Sequence, residues 1–438
     1  MVSLTNLAEK GLIEKTGAKP KLPIKIDGIS SSTLDVYRIP LNYLYYNDNN
    51  GRIATGTMSY EGKLIPSTDD VDPAYNNTIE KMIEEDAPAA LKRTQKSILD
   101  SGQQVYGWVL DDGRIIDGNR RYTALRNIHY NTGKTMYFEA VVLPFSYDNV
   151  AERVKIKQLE LAIQMGVEER KDYDPVDLAV DIYKTTTATE NSAALMTKAD
   201  YAQNAHMRKK EVDRIYDGAV CMKKFLEYIG APATAYNIVK DSKAWSLFYE
   251  MGKTLHKFGD DAEGQLHKRE TMESYFAVIL YQTHVGVIGN TARTHIRNYG
   301  KYIVSSPKNN DFNEDLMDSV DDLSESLQDA NIVDYTDLTR ELSKENGIIE
   351  DVANTYNRYM NDARNGESVE KFIRTTRDNV EIFEDLKENN GLLGSLRYNQ
   401  ITNVQLKQLQ MYMRNLHQIS QDLFDMYGDE IDAKNNQK

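Results

Sequence analysis

A single cysteine, Cys221, stands in 438 residues. It excludes an internal disulfide and a cysteine-ligated zinc site. The seven histidines fall at no metal-ligand spacing. No apolar run approaches the roughly 20 residues that a membrane-spanning helix needs, so no membrane association is expected. The first residues, 1–6, lack a basic stretch followed by an apolar one, and a cytoplasmic protein without a secretory leader is the expectation. Positive charge is also short. Against 67 Asp and Glu there are 53 Lys and Arg, a net charge of −14. That argues against a surface built to wrap DNA without sequence preference.

What is present is unevenly placed. Residues 311–350 carry 13 acidic and 2 basic side chains. By contrast, 206–224 holds Arg208, Lys209, Lys210, Arg214, Lys223 and Lys224. One basic face on an acidic chain is compatible with one DNA-reading module. The length exceeds one hydrophobic core, so two or three domains are expected.

The pattern along the chain is α+β. Residues 1–35 read as a loosely ordered arm. Residues 36–150 read as a small mixed-sheet domain. In it a strand spans Val36–Tyr46 and a loop covers 56–75. A helical stretch from Thr78 to Leu99 is interrupted at Pro88, and two short strands meet at Asp111-Asp112-Gly113. A helix at 120–130 and a strand at Tyr137–Leu143 complete it. From about 150 the strands stop. A helical domain is expected over 151–235, with Asp174 capping a helix that Pro175 opens. A helical extension over 236–305 and an acidic helical region over 306–438 follow. The latter ends in a stripe, Leu406, Leu409, Met413, Leu416, Ile419 and Leu423, that suits either self-association or packing on residues 242–303.

The densest local signal is Gly113 to Arg126. A strand stops at Asp117-Gly118 and turns directly into a helix with Arg120 and Arg121 in its first turn. Unpaired first-turn amides at the positive end of a helix dipole, with two guanidinium groups beside them, make a phosphate cradle. The competing reading is a plain strand-turn-helix whose arginines pair with nearby carboxylates. Further on, Glu160, Glu168, Glu169 and Asp172, with Arg170, read as added phosphate or metal contacts or as a solvated charge run. Residues 197–220 have the layout of a helix-turn-helix. Thr197 caps the first helix, Tyr201 and Ala202 face inward, and Val212 and Ile215 are buried on the second. Arg208, Lys209, Lys210, Asp213 and Arg214 then face the major groove or the phosphates of DNA. The alternative is an ordinary helical hairpin, and the turn lacks a glycine.

Taken in order, these features make residues 36–229 resemble the ParB family: a ParB/sulfiredoxin-like domain followed by a helix-turn-helix domain. The match runs through Ile39–Arg52, Ser97-Ile98 with Gly102, Gly118-Asn119-Arg120-Arg121 with Ala124, Arg170-x-Asp172 before Asp174-Pro175, and Ala202 with Val212. The resemblance implies CTP bound by Gly118, Asn119, Arg120 and Arg121 with Arg170 nearby, Mg2+ accompanying it, and double-stranded DNA read by the helix-turn-helix. It also implies a homodimer and a partition ATPase as partner, in plasmid or phage partition or in regulation on a mobile element. Three departures bear on activity. Asn119 replaces the family's acidic residue, its Glu-Asn pair falls on Gly166 and Val167, and the proline after Gly102 is missing. Weak CTP hydrolysis at most is therefore expected. A nucleotide-dependent kinase or nuclease on the same fold, or a nucleotide-free scaffold, are the other functions open to this sequence.

Overall fold

The strands of the N-terminal half are apolar on both faces, and the architecture follows from that. In the computed structural model, described over residues 3–48, 54–60, 64–166, 174–189, 193–259, 261–366, 376–377, 379–384, 387 and 401–435, six strands form one mixed sheet. They are β1 (Glu14–Lys15), β2 (Val36–Pro40), β3 (Tyr45–Tyr46), β4 (Gly107–Leu110), β5 (Arg114–Asp117) and β6 (Tyr137–Leu143), in the order β1-β2-β6-β4-β5-β3. Strand β6 runs parallel to β4 and antiparallel to β2; β4 and β5 form an antiparallel hairpin. Alternate side chains point to opposite faces. Ile39, Val109, Ile115 and Phe138 enter one core, under α3 (Pro73–Asp86), α4 (Pro88–Ser101) and α5 (Asn119–Thr132). Val36, Trp108, Ile116 and Val141 enter another, under α6 (Val150–Gly166). Burial on both faces explains the near-continuous apolar runs of these strands.

Two stretches differ from expectation. Residues 3–35, expected as a loosely ordered arm, are built into the domain. Ser3 caps the six-residue helix α1 (Leu4–Glu9), Leu4 is fully buried, and its amide donates to the Asp111 carbonyl at 2.7 Å. A helix this short shows no period of its own, so the sequence pattern could not reveal it. The expected loop 56–75 is bounded by helix α2 (Ala54–Ser59) and by Pro73 at the start of α3. Helix α2 is held by a partner far along the chain: the Thr55 amide and hydroxyl donate to Asp177 Oδ1 at 3.2 and 2.7 Å.

The helical part begins with α6 and α7 (Pro175–Thr186), where Asp174 accepts from the Val176 and Asp177 amides. Then come α8 (Lys198–Asn204), α9 (Lys209–Tyr228), α10 (Asn237–Asp241), α11 (Trp245–Leu255), α12 (Ala262–His284), α13 (Gly289–Tyr299), α14 (Asn309–Asp329), α15 (Tyr335–Leu342) and α16 (Asn346–Gly366). One hydrophobic cluster extends from Val176 to Met360 and takes in the expected boundaries at 235/236 and 305/306. Helix α12 is buried along most of its second half, from Thr271 to Gln282, as expected of the central helix of a bundle. Helices α9 and α11 cross so closely that a Cβ on Gly252 would lie 2.7 Å from the Asp217 carbonyl carbon and the Gly218 nitrogen. A second unit, residues 362–438, contains α17 (Asn403–Asn435). Among the described residues no helix is long and apolar enough to cross a membrane.

Candidate nucleotide and nucleic-acid sites

Strand β5 delivers the chain to Gly118, which has φ +108 and caps α5 without a side-chain hydrogen bond. An L-residue is strained there, and a Cβ would lie 2.7 Å from Phe138 Cζ. The turn therefore presents the first amides of α5, which have no intrahelical acceptor, to a cleft of about 410 Å³. Gly118, Asn119, Arg120 and Arg121 all line that cleft. The sequence missed the opposite wall. Arg93, Thr94 and Ser97 from α4, Gln104 from the loop after it, and Gln164 from α6 also face the cleft. Only the Ser97-Ile98 and Gly102 match pointed to that wall.

Arg121 donates through Nη2 to Asp117 Oδ2 at 2.6 Å and through Nη1 to the carbonyls of Val105 and Tyr106 at 2.6 and 3.0 Å. Its side chain is 13% exposed. Pairing with a nearby carboxylate thus holds for Arg121, whose fork ties the loop before β4 to the end of β5. Arg120 is half-buried in the cleft wall. Asn119 is 9% exposed, and its side-chain oxygen and nitrogen are both buried with no hydrogen-bond partner among the described residues. An unsatisfied buried amide costs about 1–3 kcal/mol. Gln103 braces the same loop, donating to the Val105 and Glu139 carbonyls at 2.9 and 2.7 Å and accepting from the Glu139 amide at 3.0 Å.

Glu160 does not join this cleft. It is buried 3.6 Å from Lys157 Nζ and lines a separate cavity of about 110 Å³. Burial lowers the Lys157 pKa, but Asp181 and Glu160 more than offset it and leave the ammonium above its ordinary value. Glu168, Glu169, Arg170 and Asp172 lie outside the described residues.

At the lip of the cleft, Asp86 ends α3 and accepts from Lys240 Nζ at 2.7 Å; the same ammonium donates to Asp177 Oδ2 at 3.0 Å. This link ties α10 to the sheet domain. Nothing around Lys240 in the sequence signals it, because both partners are distant in the chain. Burial pushes the Asp177 pKa up to about 6 from 3.8, with Lys240 and Thr55 opposing. Because the folded pKa is the higher one, the folded state holds the extra proton between those values. Stability from this group therefore falls as pH rises from about 4 to about 6 and is flat above that. Asp177→Asn is expected to remove this slope. Denaturant titrations at several pH values should shift in the variant's favour by up to about 3 kcal/mol across that window. An unchanged difference between the two proteins would refute it.

The second site is the pair α8 and α9. Thr197 and Asp200 form a reciprocal cap on α8. Tyr201, Ala202, Ala205, Val212 and Ile215 make the inner core. The turn needs a left-handed residue, and His206 supplies it at φ +51 in place of glycine. Tyr201 Oη donates to Asp181 Oδ2 at 2.7 Å, and Lys157 Nζ donates to Asp181 Oδ1 at 2.6 Å, which fixes α8 against α6 and α7. Helix α11 covers the later part of α9, while Arg208, Lys209 and Lys210 at its start are exposed and Arg214 is half-buried. Lys209 pairs with Asp213 at 2.8 Å.

No family model matches the chain, and no curated protein matches it. Among solved structures it is similar to one described as the C2221 form of a Pnob8-like ParB-N domain, with 12% identity. The match covers 66% of this chain and 98% of that chain, with a TM-score of 0.29. Likeness at that level assigns neither fold nor function to this chain. The α+β architecture rests on its own sheet and helices, and the sites rest on their own geometry.

Proposed function

We propose that the chain is a ParB-like DNA-binding protein of the cytoplasm whose cleft at the start of α5 holds a nucleoside triphosphate, CTP with Mg2+. The observation that carries this reading is the pairing, in one chain, of a helix N-terminus lined by Gly118, Asn119, Arg120 and Arg121 with a helix-turn-helix that exposes Arg208, Lys209 and Lys210. A phosphate chain suits the α5 amides and Arg120. Asn119 offers a donor and an acceptor that the described residues leave unused. In this reading, residues at the start of α9 meet base edges or phosphates, as the first residues of a recognition helix do. A homodimer would present two such helices to a two-fold DNA site, and a partition ATPase is the partner this reading implies.

DNA binding tests the second half of the reading. Lys209→Ala with Lys210→Ala is expected to weaken binding to a double-stranded DNA fragment and to lower the salt slope by about 1 to 2 units. Fluorescence anisotropy over a range of salt concentrations reads both. Binding with an unchanged slope would move the DNA site elsewhere. A kinase or nuclease would instead show turnover of ATP or DNA.

A further inference from the structure

The cavity of about 110 Å³ beside α6 and α7 has cations left over. Asp48, Glu160 and Asp181 line it, and each of these carboxylates is already engaged. Arg114 Nη1 donates to Asp48 Oδ1 at 2.8 Å. Asp181 accepts from Lys157 Nζ through one oxygen and from Tyr201 Oη through the other. Glu160 accepts from Gln164 Nε2 at 3.4 Å and lies 3.6 Å from the same Lys157 ammonium. Arg153 and Lys184 line the cavity too, and among the described residues neither side chain has a hydrogen bond or an ion pair. The Arg153 Nε is buried without an acceptor. A buried donor left in that state is costly, the more so on a charged group. The ring of Tyr147 lies 5.9 Å from the Arg153 guanidinium and 4.5 Å from that of Arg114, so one ring gathers two cations beside the cavity.

The geometry points to a binding site for one small oxyanion, inorganic phosphate or sulfate, between Arg153 and Lys184. Arg153 stands one turn before Lys157 on α6, and Lys184 stands one turn after Asp181 on α7. The two uncompensated cations therefore flank the Lys157–Asp181 pair from different helices. Two unpaired positive charges call for a dianion, and guanidinium and ammonium groups are the donors that hold phosphate and sulfate most strongly. The volume is about a quarter of that of the α5 cleft, room for one small ion and not for a nucleoside triphosphate. Lys184 is exposed, so the lining reaches solvent and an ion can enter. Asp48 and Tyr147 belong to the sheet domain, whereas Lys184 and Thr185 belong to α7, whose Asp181 holds α8. An ion bound here braces the seam between the sheet domain and the helix-turn-helix. The site shares only Gln164's neighbour Glu160 with the α5 cleft, and it stands whether or not that cleft takes a nucleotide.

Calorimetric titration of sodium phosphate, and separately of sodium sulfate, into the 438-residue chain at fixed ionic strength tests this. Saturable binding of one ion per chain is expected. Arg153→Gln and Lys184→Gln are each expected to weaken it at least tenfold. Neither substitution removes a hydrogen bond or an ion pair between described residues, so both variants are expected to keep the wild-type far-ultraviolet circular dichroism and, without phosphate, the wild-type melting temperature. Lys184 is exposed, so its variant keeps the test valid even if Arg153→Gln fails to fold. Absence of saturable binding of either anion would overturn the proposal, as would equal affinity in wild type and Lys184→Gln. Arg120→Ala separates the two sites. Phosphate binding lost in Arg120→Ala and retained in Lys184→Gln would place the ion at the start of α5 and overturn the assignment to this cavity.

Discussion

Replacing Arg126 with leucine is expected to lower the unfolding free energy by about 3–5 kcal/mol, because it leaves the buried Glu80 carboxylate and the half-buried Asp69 without their cation. The Arg126 side chain is 1% exposed. Its Nε donates to Glu80 Oε2 at 3.2 Å, Nη2 donates to Asn77 Oδ1 at 2.8 Å, and Nη1 meets Asp69. The ring of Tyr122 lies beneath the guanidinium, 5.6 Å from centroid to Cζ. These bonds fasten α5, whose first turn forms the cleft, onto α3. Burial already raises the Glu80 pKa, and Arg126 works against that rise. Without Arg126 the carboxyl pKa rises further in the folded state, so the folded state binds more protons than the unfolded one. The deficit should therefore shrink as pH falls through the carboxylate range. Urea unfolding at neutral and mildly acid pH measures both. Adding Glu80→Gln should recover part of the loss. A deficit under about 1 kcal/mol, or one that grows in acid, would show that the network contributes little.

Arg121→Ala is expected to weaken nucleotide binding by roughly 10- to 150-fold, the equivalent of about 1.5–3 kcal/mol. The geometry gives this effect two sources. The loop at Val105 and Tyr106 loses the fork that holds it to β5, and the Asp117 carboxylate loses a cation in the wall where phosphates would sit. Repulsion from Asp117 is separable. If it contributes, Arg121→Ala with Asp117→Asn binds more tightly than Arg121→Ala alone. Arg120→Ala leaves the Arg121–Asp117 pair in place, so Asp117→Asn should not rescue it. Equal affinity for CTP in wild type and Arg121→Ala would place the ligand elsewhere.

Local grammar made the centre of the sheet domain legible. Gly118 before a helix, Pro88 and Pro175 at first helical positions, and the apolar run 137–143 each carry a conformational preference within a few residues. The strand Tyr137–Leu143 and the caps at Asp174 and Thr197 fall where those preferences put them. What could not be read depends on partners far along the chain. Leu4 is buried because Asp111 receives its backbone, α2 is held by Asp177, and Lys240 reaches back to Asp86. The candidate site was half visible for the same reason. Its α5 side follows from a motif, whereas Arg93, Thr94 and Gln164 reach it only through the packing of α4 and α6. Arg121 shows the limit most plainly: the motif predicts a cradle for phosphate, while its fork is engaged by Asp117 and two carbonyls. The glycine missing from the helix-turn-helix counted against it in sequence, yet His206 occupies the left-handed position.

The central claim is that the cleft at the start of α5 binds a nucleoside triphosphate. Isothermal calorimetry of CTP with Mg2+ into the 438-residue chain, alone and with DNA, and with ATP and GTP as competitors, tests it most directly. The account predicts saturable binding of one CTP per chain, preferred over ATP and GTP and at least tenfold weaker in Arg121→Ala. Absence of binding by all three nucleotides, with and without DNA, would contradict it.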